Sequence, residues 1–124
     1  MVNDITMENM QPGGMEEDDN MHIVMFFGTT CGPCKATMPH YEAASDFFEE
    51  RNAKIKFHRI NAWEPQDQAK YVKEIWQVEG VPNFKAFFHG EVVHERKGGG
   101  DTDAMKKFIS EAIGEAFKRF NVRL

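Results

Sequence analysis

Apolar positions change period several times along this chain, and each change marks an element. "HIVMFF", residues 22–27, is β-branched and aromatic, is bounded by Gly28, and predicts a buried strand. From the cysteines at 31 and 34 to about Glu50, the residues Met38, Tyr41, Ala44, Phe47 and Phe48 recur at helical spacing. Pro39 falls inside that helix, where the loss of a ladder hydrogen bond predicts a kink. "IKFHRI", residues 55–60, is the next strand. Gln66–Gln77 reads as a second helix with Ala69, Val72, Ile75 and Trp76 on one side and Pro65 near its first position. "NFKAFFHGEVVHERK" then gives two strand-like runs split at His89-Gly90, a hairpin signal. Asp101, Thr102 and Asp103 are N-cap candidates for a last helix. Its apolar face is Met105, Phe108, Ile109, Ala112, Ile113, Ala116, Phe117 and Phe120.

Residues 1–21 are the least orderly part, polar, Met-rich and broken by Pro12-Gly13-Gly14. A short strand near Ile5 and one helical turn around Met7–Met10 are the only elements expected there, with the five methionines as gap-fillers or surface. The chain therefore divides into an irregular segment, 1–21, and one domain, 22–124. Strand, helix, strand, helix, hairpin, helix is the order of an α/β fold with at least one parallel strand pair and helices on both faces.

Composition narrows the function by exclusion. A length of 124 residues suits one domain, and 41% apolar content with eleven Phe supplies a core without disulfide staples. The formal charge is −5 and Lys and Arg are dispersed, so nucleic acid is not an expected partner. The longest apolar run, Ile23–Phe27, is far below the ~20 residues of a membrane-spanning helix, so no membrane partner is expected. The first residues lack the positive start and apolar middle of a secretory signal, and the acidic run Glu16–Asp19 opposes export. A reducing, cytoplasmic setting is expected, in which a CxxC pair is more often redox-active or metal-binding than a structural bridge.

Both cysteines stand in "FFGTTCGPCKATMP", residues 26–39, where strand gives way to helix. A thiol is nucleophilic as a thiolate, and the first turn of a helix offers unpaired N–H groups and the positive end of the macrodipole. Cys31 occupies that place, lifted toward solvent; Cys34 lies over the same helical face, one turn deeper and less exposed. Gly32 lets another chain approach closely, and Pro33 fixes its φ while giving up an N–H the first turn cannot use. The arrangement suits one attacking and one resolving sulfur. Two other readings stand beside it. The cysteines could be packed core residues, or half of a zinc site needing two further ligands, for which His22, His40, His58, His89 and His94 offer no pair at ligand spacing. Lys35 excludes haem attachment of the CxxCH type.

"CGPCK", Pro39 five residues after the second cysteine, "VPN", "HGEVV", Gly98 and the terminal amphipathic helix together resemble the thioredoxin family, in consistent order over roughly residues 22–120. The resemblance implies a thioredoxin-like fold, a central mixed sheet flanked by helices on both faces, with the first helix reduced or absent. It implies Cys31 as attacking thiolate and Cys34 as resolving thiol, separated by Gly32 and Pro33. Pro82 would be the family's cis proline packed against the pair, the Val81 backbone would pair with an extended substrate strand, and Thr30 and Gly98 would complete the substrate surface. No cofactor beyond a redox-active Cys31–Cys34 disulfide is implied. The implied partners are disulfide-containing protein substrates and a reductase that regenerates the dithiol, with the chain acting as a monomer.

Departures from the family pattern are equally specific. Thr30 stands where the family usually has Trp, so the flat apolar surface beside the sulfur is altered. Met25 stands where a buried Asp accepts the proton of the resolving cysteine, and Arg59 replaces the Lys that accompanies it, either pointing inward or lying at the strand edge. The segment Trp63–Val81 is longer than usual. The expected activity is reduction of protein disulfides by dithiol–disulfide exchange. A thioredoxin-fold binding subunit or chaperone-like partner with dispensable cysteines is one alternative, and a disulfide oxidase or isomerase is another.

Overall fold

A five-stranded mixed sheet runs in the order β1 (Val2–Asp4), β5 (Ile55–Asn61), β4 (Met21–Phe27), β6 (Asn83–Phe88), β7 (Glu91–Lys97) in the computed structural model. Residues 1–12, 14–15 and 18–124 are described. β5 is parallel to both β1 and β4, whereas β6 and β7 are antiparallel to their neighbours. A two-residue turn at His89-Gly90, both with positive φ, closes the β6–β7 hairpin as the sequence predicts. The helices are α1 (Gly32–Glu50), α2 (Gln66–Ile75) and α3 (Thr102–Phe120).

Alternation along β4 divides the core between the two faces of the sheet. Met21, Ile23 and Met25 pack with Phe57, Phe84 and the inner faces of α1 and α3. Val24 and Phe26 pack on the other face with Ile60, Phe87 and, from α2 and the turn after it, Val72 and Trp76. The Tyr41 hydroxyl lies 3.1 Å from the Ile23 carbonyl oxygen and 3.0 Å from that of His58, tying α1 to both β4 and β5. α1 runs unbroken through Pro39. Ile75 and Phe117, expected on apolar faces, are instead exposed.

Residues 1–21 carry more structure than the strand and turn expected of them. β1 joins the sheet edge, a single 3-10 turn spans Met7–Asn9, and β2 (Met10–Gln11) pairs with β3 (Gly14–Met15). This hairpin covers the α2 side of the sheet: Gly14, at positive φ, lies so close to the Phe87 ring that a Cβ there would stand 2.7 Å from it. Met10, Met15, Met21, Met25 and Met105 are all buried. The break at Gly13 and the acids Glu16 and Glu17 lie outside the described residues.

Two polar groupings sit in the α2-side layer. Lys85 is buried and paired with Glu95 across the hairpin, and its ammonium holds the Glu95 carboxyl below the usual carboxylate range. His22 and His58 stack with Nδ1 of His22 3.0 Å from Nε2 of His58, and His22 Nε2 lies 2.9 Å from Asp18. If His22 donates Nε2–H to Asp18, its Nδ1 accepts from His58. Nδ1 of His58 then has no hydrogen-bond partner among the described residues.

The link from β7 to α3 is drawn against the first turns of α1. The Gly98 amide donates to the Pro82 carbonyl at 2.9 Å, and the Gly100 amide to Thr37 Oγ1 at 3.2 Å. Between them Gly99 touches α1: a Cβ there would fall 2.2 Å from Thr37 Oγ1. Asp101 caps α3 through its side chain, 2.8 Å from the Ala104 amide.

Burial, with the positive fields of His22 and Lys56 adding to it, pulls His58 down from its ordinary value of 6.5 to about 4. The folded chain therefore binds fewer protons than the unfolded chain within that window, so stability present above about pH 6.5 is lost as pH falls toward about 4, by about 3 kcal/mol at most. Denaturant midpoints between pH 7 and pH 4 should drop more steeply for the native sequence than for His58→Gln; parallel slopes would contradict this. Gly99→Ala should cost about 1–3 kcal/mol by overpacking against Thr37. Adding Thr37→Ala should restore part of the midpoint, and a single variant as stable as the parent would show that Thr37 swings aside freely.

Candidate active site

Cys31 ends the extended chain leaving β4 and caps α1. Its φ and ψ are −80° and 108°, its amide donates to the Gly28 carbonyl at 3.3 Å, and its carbonyl accepts from Lys35 at 3.1 Å. Gly32 and Pro33 form the first helical positions, where Pro33 forfeits no ladder bond. The Cys34 amide points back at Cys31 Sγ, 3.1 Å away. That donor and the helix dipole favour negative charge on the Cys31 sulfur whenever it is a thiolate.

Cys31 and Cys34 are joined as a disulfide, with Cα atoms 5.2 Å apart. Among the described residues no group of three or more His, Cys, Asp or Glu side chains gathers as a metal site. Cys31 is the outer sulfur, but only slightly: it is 5% exposed against 2% for Cys34. The expectation of a sulfur lifted toward solvent is corrected here, because in the bonded pair the side chain turns toward Cys34 and lies under the loop before β6. Gly32 faces open space, so approach to the pair is over its bare Cα.

That loop carries Val81 and Pro82. The Val81–Pro82 peptide bond is cis, and the Val81 carbonyl oxygen lies 3.9 Å from Cys31 Sγ. Gly98, at positive φ, holds Pro82 through its amide and presents an open face beside it. Thr30 is exposed at the rim. Residues 30–34, 81–82 and 98 thus meet at one end of the sheet, although they are far apart in sequence.

Behind Cys34 the picture is less familiar. Met25 is fully buried in the same apolar cluster as Cys34 and pairs in register with Arg59 of β5. Arg59 takes neither extreme of the two placements open to it. It is half-buried, hydrogen-bonded to Asp4 of β1, and has its guanidinium 5.9 Å from the centre of the Phe27 ring. A groove of about 380 Å³ runs from Cys34 past Met38 and Pro39 to Glu42 and Arg59.

Two residues near the site went unmarked in the sequence. Trp63, just after β5, lies against Gly28 at the start of the cysteine loop. Gln68, buried on α2, accepts from the Met7 amide at 3.0 Å and donates to the carbonyls of Asn61 and Glu64 at 2.8 and 3.2 Å. Helical periodicity could not reveal Gln68, since a polar residue registers as the exposed face. An aromatic residue in a turn was the available signal for Trp63.

The Thioredoxin family model covers residues 6–111. The chain is 33% identical over 94 residues to protein disulfide-isomerase erp38 of Neurospora crassa, which is 74% of this chain and 24% of that protein. Against the protein disulfide-isomerase of Zea mays it is 27% identical over 97 residues, 77% of this chain and 18% of that one. The chain thus spans about a quarter or less of the length of these relatives. Spinach chloroplast thioredoxin f superposes with a TM-score of 0.68 at 26% identity, covering 90% of this chain and 92% of that one. Malassezia sympodialis thioredoxin, at 20% identity and a TM-score of 0.65 over 90% of each chain, shares the fold. With the mixed sheet, the paired cysteines at the start of α1 and the family match over most of its length, this chain belongs to the thioredoxin family.

Proposed function

We propose that the chain is a thiol–disulfide oxidoreductase that reduces protein disulfides. The observation that carries this reading is the bonded Cys31–Cys34 pair at the N-terminus of α1, with an amide donor on the outer sulfur and a cis-proline loop beside it. In the reduced protein, the Cys31 thiolate attacks one sulfur of a substrate disulfide; the S–S bond breaks and the departing sulfur takes up a proton. Cys34 then loses its proton and attacks Cys31 Sγ, expelling the second substrate sulfur, which is protonated in turn. The substrate has gained two electrons, with one proton from Cys34 and one from solvent, and the Cys31–Cys34 bond remains. The redox group is this disulfide itself. A reductase that donates to disulfides must restore the dithiol.

Val81 offers backbone groups to an extended substrate segment beside the sulfur, a role supported by the proximity of its carbonyl to Cys31. A second reading rests on similarity to proteins named as disulfide-isomerases. The same two sulfurs serve either direction, and the reduction potential separates them. A value near about −270 mV supports the reductant, and one near about −180 mV the isomerase.

Cys31→Ser should abolish turnover, while Cys34→Ser should accumulate covalent adducts with substrate proteins, visible by mass spectrometry. Equal residual turnover in the two variants would count against the assigned order. With Met25 in place of an acid, release from the mixed disulfide is slow, because the side chain at that strand position cannot take up the proton of Cys34. Met25→Asp should quicken that second step, by up to about 10²-fold, in a rapid-quench experiment. An unchanged rate would refute this role for position 25.

A further inference from the structure

Trp63 leaves 47% of its surface exposed, although its inner face is in close contact with the cysteine loop. A Cβ built on Gly28 would fall 2.3, 2.4 and 2.5 Å from indole Cδ2, Cε2 and Cε3. Three ring atoms at nearly equal distance place the indole face-on to Gly28. The Gly28 carbonyl in turn accepts from the Cys31 amide.

The turn that carries the indole is held from several sides. Asn61 Oδ1 accepts from the amides of Trp63 and Glu64 at 2.8 and 3.0 Å, and Asn61 Nδ2 donates to Thr29 Oγ1 at 2.9 Å. Thr29 Oγ1 donates to the Glu64 carboxylate at 3.0 Å, and Gln68 fixes the carbonyls of residues 61 and 64. An aromatic face held this firmly loses little freedom when something docks on it.

A groove of about 570 Å³ has both Trp63 and Val81 in its lining, together with apolar Ala62, Ala69 and Val78. One groove is therefore shared by Trp63 and by the residue whose carbonyl lies 3.9 Å from Cys31 Sγ. Lys70 and Lys73 are offset by Glu74 and Glu79 along its rim, which leaves no net charge to select a charged ligand. The geometry points to Trp63 as a substrate-docking residue: it receives an aromatic or aliphatic side chain from the extended segment that flanks the target cysteine of a disulfide-bonded protein. This rests on the redox reading above, and it adds a preference for apolar residues on one side of the attacked sulfur.

The test compares three disulfides: a peptide with Phe flanking its disulfide-bonded cysteine, the same peptide with Ser there, and hydroxyethyl disulfide, which has no flanking chain. Trp63→Ala should raise KM for the Phe peptide about tenfold with kcat unchanged, and leave the other two substrates unaffected. Trp63→Phe should retain most of the affinity. Equal loss on all three substrates would overturn the proposal, because Trp63 would then merely prop the cysteine loop; so would no change on any. Docking is also read without turnover, by titrating the reduced Phe and Ser peptides into the Cys31→Ser, Cys34→Ser protein and following tryptophan emission. Emission that responds to the Phe peptide and loses its response in Trp63→Ala supports docking even if hydroxyethyl disulfide is not reduced, an outcome that removes the redox reading alone. No response to either peptide removes the docking.

Discussion

The first turn of α1 leaves backbone amides without ladder partners, and the chain has placed a sulfur where they converge. Cys31 closes that end of the helix by accepting from the Cys34 amide, so one contact both caps the helix and positions the sulfur. The cap forms where β4 delivers the chain buried on both faces and the Gly28 carbonyl, just past the strand, accepts from the amide of residue 31. A cysteine on a free loop would have no such set of donors.

The sheet explains why the other parts of the site gather there. β4 has a parallel neighbour, β5, on one side and an antiparallel neighbour, β6, on the other. The chain leaving β4 and β5 and the chain entering β6 therefore all emerge at one end, beside the start of α1. The turn after β5 brings Trp63, the entry to β6 brings Val81 and Pro82, and the exit from β7 brings Gly98. Contacts by Gly99 and Gly100 with Thr37 then hold the far side of α1 in place.

Much of this was legible from residue pattern. The strand at 22–27, the cysteine helix, the hairpin turn and the last helix follow from period and from turn residues, because burial on one face imposes a spacing that a sequence must show. Ile75 and Phe117 misled for the opposite reason: spacing reports which face is apolar, not how far the neighbouring layer extends. The hairpin around Met10 and Met15 was hidden because two-residue strands are too short to show alternation, and their stability comes from Phe87 and α2 rather than from themselves. Lys85, His22 and His58 are each buried with a partner distant in sequence, and no local pattern predicts a pairing of that kind. In the site, the cysteines were evident from their spacing, whereas Trp63 depends on how the β5–α2 turn folds back over Gly28.

The methionines extend the same logic to another sulfur chemistry. Five thioethers, those of Met10, Met15, Met21, Met25 and Met105, lie within the two apolar layers, none more than 8% exposed. A protein that carries oxidising equivalents at one pair of sulfurs thus keeps these others away from peroxide while it is folded. Sulfoxide at any of these five positions would accordingly record a past unfolding event and not the number of catalytic cycles completed.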